Sequence, residues 1–179
     1  MFIDISSLKK TTGDSCSVKF NEDLSSKAAE YGVDILNPVK VTADVTNCGS
    51  YFQVSGSIDV AVKLICDRCL KSYEYLMNIK LFEQYYYIED NDCKRDLLVY
   101  KTDIKPDVDL GEKIPFSGDL INIDLEVLSA VRLALPMKCL CSKDCLGLCP
   151  KCGMNLNFGQ CNCQNDDIDV RMSVLKKLL

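Results

Sequence analysis

Seven of the chain's twelve cysteines fall between Cys139 and Cys163. Thiols packed that closely in sequence either ligate a metal or oxidise to disulfides. Cys149-Pro150-Lys151-Cys152-Gly153 has the spacing at which two thiolates reach one ion while the backbone curls around it, and the glycine after it can take a positive φ. Cys161 and Cys163 follow a loop containing Gly153, Gly159 and two asparagines, which can return the chain to the same ion. Their C-x-C spacing is tighter than usual and leaves open whether both bind. A further CxxC pair, Cys66-Asp67-Arg68-Cys69, lies about seventy residues upstream, and with Cys141 and Cys145 it makes a second set of four. Partner exchange between the sets, or a free upstream pair, stays open at this point. Cys16, Cys48, Cys93 and Cys139 are left over and are expected to pack or lie free as thiols.

The rest of the composition narrows the chemistry. The sequence has no histidine, so soft metal ligation falls to cysteine. That suits structural zinc, two ions in the two-set scheme, with iron–sulfur as the main rival. Lack of histidine also excludes Ser–His and Cys–His nucleophilic catalysis. The first ten residues, Met1 to Lys10, have no basic-then-apolar signal pattern, and no stretch approaches the ~20 apolar residues of a membrane span. A cytosolic, reducing location is therefore expected, where clustered cysteines hold metal in preference to forming a disulfide framework. Neither CxxC has the β-α setting of a thioredoxin-type redox site, so an enzymatic thiol role is the weakest candidate.

The elements that must position these cysteines are mostly strands. Val39, Val41, Ala43 and Val45 alternate with Lys40, Thr42, Asp44 and Thr46, the pattern of a half-buried strand. Asn47-Cys48-Gly49-Ser50 is turn chemistry, and Phe52 to Leu64 resumes the alternation, completing a hairpin with one wet face. Ser72 to Ile88 is again extended, which puts Cys66-Asp67-Arg68-Cys69 at the tip of a second hairpin. Leu97 to Tyr100 reads as a further extended piece before an acidic connection with Pro106 and Gly111. Leu24 to Tyr31 reads as a short helix ended by Gly32. A longer helix is expected after Asp124 as its N-cap, with Glu126 in the first turn, a stripe of Leu125, Leu128, Val131 and Leu135, and an end set by Pro136. A short C-terminal helix is expected after Asp169, with Leu175 and Leu178 apolar and Lys176 and Lys177 near its end.

These elements amount to an α+β fold: an antiparallel meander or barrel-like sheet packed by a helix, followed by a cysteine-rich zinc-knuckle module and a short terminal helix. The expected domains are 1–136 and 137–179. The net charge of −5 argues against bulk attraction to nucleic acid, but Arg68, Lys71, Lys138, Lys143 and Lys151 surround the knuckles and can meet phosphate locally. Tyr85, Tyr86 and Tyr87 can stack bases if exposed, although tyrosines on a strand more often pack in a core.

Three stretches resemble the YceD-like family, the large ribosomal RNA subunit accumulation proteins. They are Cys66-Asp67-Arg68-Cys69-Leu70, the run from Ile123-Asp124-Leu125 to Leu133-Ala134-Leu135-Pro136, and Cys141 through Asn157 to Cys161-Asn162-Cys163. The tail Ile168-Asp169-Val170-Arg171 is similar to the family's closing Ile-Asp-Pro-Arg motif, with valine in place of proline. The resemblance implies a cytosolic, non-enzymatic factor for accumulation or processing of large-subunit ribosomal RNA, or for ribosome assembly. Its implied partners are that RNA and ribosome assembly intermediates. The acidic body of the chain can also engage ribosomal proteins, and the lack of an apolar span argues against a membrane. A zinc-stabilised protein–protein adaptor that acts through ribosomal proteins or processing enzymes and never touches RNA is the alternative.

Overall fold

Alternation of small β-branched and polar residues builds the sheet. In a computed structural model, residues 1–88 and 113–163 are described. Their order is β1 (Phe2–Asp4), a 3₁₀ turn (Leu8–Lys10), β2 (Ser15–Glu22), α1 (Ser25–Glu30), β3 (Val39–Asn47), β4 (Phe52–Ile65), β5 (Ser72–Tyr87), β6 (Ile114–Phe116), β7 (Leu120–Asn122) and α2 (Asp124–Ala134). The extended piece at Leu97–Tyr100, the C-terminal helix, the Ile168-Asp169-Val170-Arg171 motif and Cys93 lie outside the described residues.

Five strands form one sheet in the order β2-β3-β4-β5-β6, and β1 pairs with β7 in a separate two-stranded ribbon. β3 pairs antiparallel with β2 from Ser15↔Thr46 to Glu22↔Val39, and with β4 from Lys40↔Asp59 to Asn47↔Phe52. Val39, Val41, Ala43 and Val45 are buried on one face and their polar neighbours stay wet, so the period-2 pattern sets the register. The sheet departs from the expected barrel-like antiparallel meander in two ways. It is open among the described residues, and β6 joins β5 in parallel, with Tyr85 opposite Ile114.

The chain divides into two compact units, Met1–Leu64 with Glu74–Met137, and Ile65–Tyr73 with Lys138–Leu179. In the first, Val54, Ile58 and Val62 of β4 join Ile3, Ile121, Ile123, Val127 and Val131 in one apolar core. Tyr85 belongs to this core, 1% exposed with its ring 6.5 Å from Phe116, and so is no stacking platform. Tyr87 is half exposed and carries the Lys9 ammonium 4.2 Å over its ring.

Helix α2 corrects two expectations. Asp124 is its first helical residue, not its cap: Ile123 holds the cap position without a side-chain bond, and Asn122 Oδ1 accepts the Asp124 N–H at 3.0 Å. The Asp124 carboxylate instead accepts from the Met1 ammonium and from Lys27 Nζ. Burial opposes its ionisation, but these cations outweigh that and hold its pKa below the ordinary value. The buried stripe is therefore Asp124, Val127, Leu128 and Val131, at i, i+3, i+4 and i+7, while Leu125 turns outward at 53% exposure. Glu126 is half-buried, and burial raises its carboxyl pKa, which weakens its part as first-turn charge.

Candidate metal centres

The second unit is built around two CxxC turns that close in the same way. In the first, the Cys66 N–H donates to Lys71 O and the Leu70 N–H to Cys66 O, each at 2.9 Å. In the second, the Cys149 N–H donates to Met154 O at 2.8 Å and the Gly153 N–H to Cys149 O at 2.9 Å. The fifth residue of each turn is left-handed, Leu70 at φ 57° and Gly153 at φ 73°. This geometry brings both sulfurs of a pair to one side and aims backbone N–H groups at the leading cysteine.

Each turn then meets a second pair. The sulfurs of Cys66, Cys69, Cys141 and Cys145 all lie within 4.8 Å of one another, as do those of Cys149, Cys152, Cys161 and Cys163. In the first tetrad Cys66 Sγ is 3.8 Å from Cys145 Sγ, and Cys69 Sγ is 3.6 Å from Cys141 Sγ. A tetrahedron of thiolates bound at ≈ 2.3 Å has an edge of about 3.8 Å, so this donor set fits a single four-coordinate ion. Both Cys161 and Cys163 belong to the second tetrad. No described cysteine forms a disulfide; Cys16, Cys48 and Cys139 stand outside the tetrads.

The electrostatics of the two sites run in parallel. Backbone N–H groups of Cys141 and Cys69 lower the Cys66 thiol pKa to about 6, and those of Cys152 and Lys151 lower Cys149 to about 6. Sharing a proton with Cys69 pushes Cys141 up to about 12, and Cys152 does the same to Cys163, also to about 12. Each tetrad thus has a leading sulfur prepared as a thiolate, with partners that give up protons when a cation arrives.

Three contacts hold the first tetrad together. The Asp67 N–H donates to Cys139 O at 2.8 Å, and its carboxylate accepts the Cys139 N–H at 2.7 Å. Arg68 Nη1 donates to Cys145 O at 2.8 Å. Gly147, at φ 80°, passes so close that an added Cβ would lie 3.1 Å from Arg68 O, which explains a glycine there.

Asn157 is the residue that sequence reasoning missed. It sits in the loop between the ligand pairs of the second tetrad, yet its Nδ2 donates to Cys145 Sγ of the first at 3.4 Å. The same amide accepts the Leu146 N–H at 2.8 Å and donates to Asn155 Oδ1 at 2.7 Å. Burial pushes the Cys145 thiol up, but Asn157 and the Gly147 N–H outweigh it and hold its pKa below the ordinary value. The available signal was Asn155-Leu156-Asn157, an amide pair at turn spacing inside a cysteine loop.

All five cations singled out in the sequence, Arg68, Lys71, Lys138, Lys143 and Lys151, are exposed residues of the second unit. Arg68 is engaged by the Cys145 carbonyl, and Lys71 Nζ lies 5.9 Å from the Phe158 ring centroid.

Residues 54–179, which include both tetrads, match the family described as Large ribosomal RNA subunit accumulation protein YceD. The chain belongs to the YceD family. Relatives include the chloroplastic large ribosomal RNA subunit accumulation protein YCED homolog 1 of Arabidopsis thaliana, 25% identical over 146 residues, covering 74% of this chain and 46% of that one. The Zea mays homolog 1 is 25% identical over 149 residues, covering 74% and 51%. An uncharacterized protein of Mycobacterium bovis is 27% identical over 126 residues, covering 70% and 55%. This YceD chain spans about half the length of the curated relatives it matches. No solved structure matches it. The family name carries an involvement in large-subunit ribosomal RNA accumulation. Among the described residues no helix is long and apolar enough to cross a membrane.

Proposed function

We propose that this chain is a non-enzymatic cytosolic factor supporting the accumulation of large-subunit ribosomal RNA, through RNA processing or ribosome assembly, and that each tetrad carries one structural zinc ion. The family match is the observation that carries the RNA assignment. The metal assignment rests on the donor sets. Four thiolates fill every position of a tetrahedral ion and leave none for water or substrate, the mark of a structural site. Sulfurs within 4.8 Å of one another suit one ion better than a [4Fe–4S] cluster, whose thiolates sit on different irons. Zinc bound there would cross-link the segments of a unit that has little apolar core of its own.

Arg68, Lys71, Lys138, Lys143 and Lys151 would supply contacts to RNA phosphate. A divalent ion with four thiolates carries a charge of about −2, so the two centres offset most of these cations. RNA contact is then local and not the work of a broad basic field.

The test is depletion of the protein in its host, with large- and small-subunit ribosomal RNA quantified together. Large-subunit RNA should fall relative to small; an unchanged ratio would overturn the assignment. Pull-down before and after nuclease then separates RNA contact from a protein adaptor: partners retained after nuclease favour the adaptor.

A further inference from the structure

Phe158 is a large aromatic left 75% exposed on a hydrogen-bonded turn of the second unit. Its N–H donates to Asn155 O at 3.2 Å, and the preceding Asn157 is tied to Leu146 and Cys145. The turn lies between the two ligand pairs of the second tetrad, so coordination would fix it at both ends. Over the ring stands Lys71, its Nζ 5.9 Å from the centroid. The Lys71 backbone is held, because its carbonyl closes the first CxxC turn by accepting the Cys66 N–H. An exposed aromatic ring with one ammonium over it matches a nucleotide, which offers a flat base and one negative charge a few ångströms away. The backbones that carry both groups are set before any ligand arrives, so the ordering cost on binding is confined to the two side chains.

We infer that Phe158 and Lys71 form a stacking site for one unpaired nucleotide of RNA, with the base on the Phe158 ring and the phosphate on the Lys71 ammonium. The inference rests on the RNA function proposed above and names where that RNA is held. Tyr85 is buried and so is not the platform. An acidic peptide is the competing occupant, but it would use the ammonium and leave the ring idle.

The chain contains no tryptophan, which makes the Phe158→Trp variant its own reporter. The experiment uses the full zinc-loaded chain and a fluorescein-labelled single-stranded uridine dodecamer, read by anisotropy. Phe158→Trp should bind at least as well as the parent, and its indole emission should be quenched by RNA. Phe158→Leu, which keeps apolar bulk but has no π-face, should lose about tenfold in affinity. Lys71→Ala should reduce the salt slope by about 0.7, the share of one phosphate. Unchanged metal content in each variant shows that the fold is retained. Full binding by Phe158→Leu, or an emission untouched by RNA, overturns the site. So does equal displacement of the RNA by a glutamate dodecamer from the parent and from Phe158→Leu. If the parent binds a structured large-subunit RNA fragment but not the uridine dodecamer, the stacking site fails while the RNA assignment stands. If it binds neither RNA, the site also fails, and the depletion experiment decides the RNA assignment separately.

Discussion

The two tetrads share a turn and its electrostatics and differ in burial and in the span of chain that they join. The first has three buried ligands, Cys66, Cys69 and Cys145, packed with Tyr73, Leu140 and Leu148. The second buries only Cys149; Cys152 is exposed, and Cys161 and Cys163 are half-buried. Ligands of the first come from segments 72 to 79 residues apart, whereas those of the second all lie between Cys149 and Cys163. One centre therefore joins distant parts of the chain, and the other folds a short loop onto itself. The difference teaches that equal ligand sets need not be equal in strength or in accessibility.

Removing a ligand gives the largest expected effect. Metal content should fall from two zinc ions per chain to one in both Cys66→Ser and Cys149→Ser, and a Cys66→Ser protein that keeps two would break the pairing. Structural zinc contributes on the order of 10 kcal/mol, so either variant should lose order in its own site. The Cys66 variant should lose more, seen as the larger drop in melting temperature, because it also releases the anchoring of residues 65–73 to 138–145.

Accessibility separates the centres next. A chelator with a colorimetric zinc readout should draw metal in two phases. The fast phase should belong to the second tetrad, through exposed Cys152, and should be absent from Cys149→Ser. A single phase in the parent would mean that the burial difference does not govern release.

Asn157 tests whether the centres are independent. Replacing it with leucine leaves all eight thiols in place but removes the donor to Cys145 Sγ. Supporting contacts of this kind alter metal affinity by about 10- to 100-fold. Competition titration of Asn157→Leu should therefore weaken the first centre, although the residue lies in the loop of the second.

How much of this was legible follows the same division. The β3–β4 hairpin was, because Val41, Val45 and Val54 each stand between polar neighbours, although the alternation lapses at the buried run Val60-Ala61-Val62. The second tetrad was legible as a grouping, since its ligands fall within one loop. The C-x-C spacing left open whether both Cys161 and Cys163 belong, and the structure includes both. The first tetrad needed four cysteines matched across the chain, and spacing alone left partner exchange open. Asp124 was misread as a cap because its partners, Met1 and Lys27, lie 123 and 97 residues away. A local rule sees the helix start and not the ammonium groups that meet the carboxylate. Asn157 escaped for the same reason: its meaning depends on a sulfur from the other centre.

The smallest predicted effect concerns the turn itself. Leu70 and Gly153 occupy the same left-handed position, at φ 57° and 73°, but only glycine takes it without a Cβ clash, which costs other residues roughly 1–2 kcal/mol. Leu70 is 65% exposed, so little packing offsets that strain. Leu70→Gly should then tighten zinc at the first centre, and Gly153→Ala should loosen it at the second, each by about 5- to 30-fold at most, read by chelator competition. The opposite signs are the sharp part of the test. If Leu70→Gly weakens the first centre, the leucine side chain contributes something that its exposure does not show, and the equivalence of the two turns ends at the backbone.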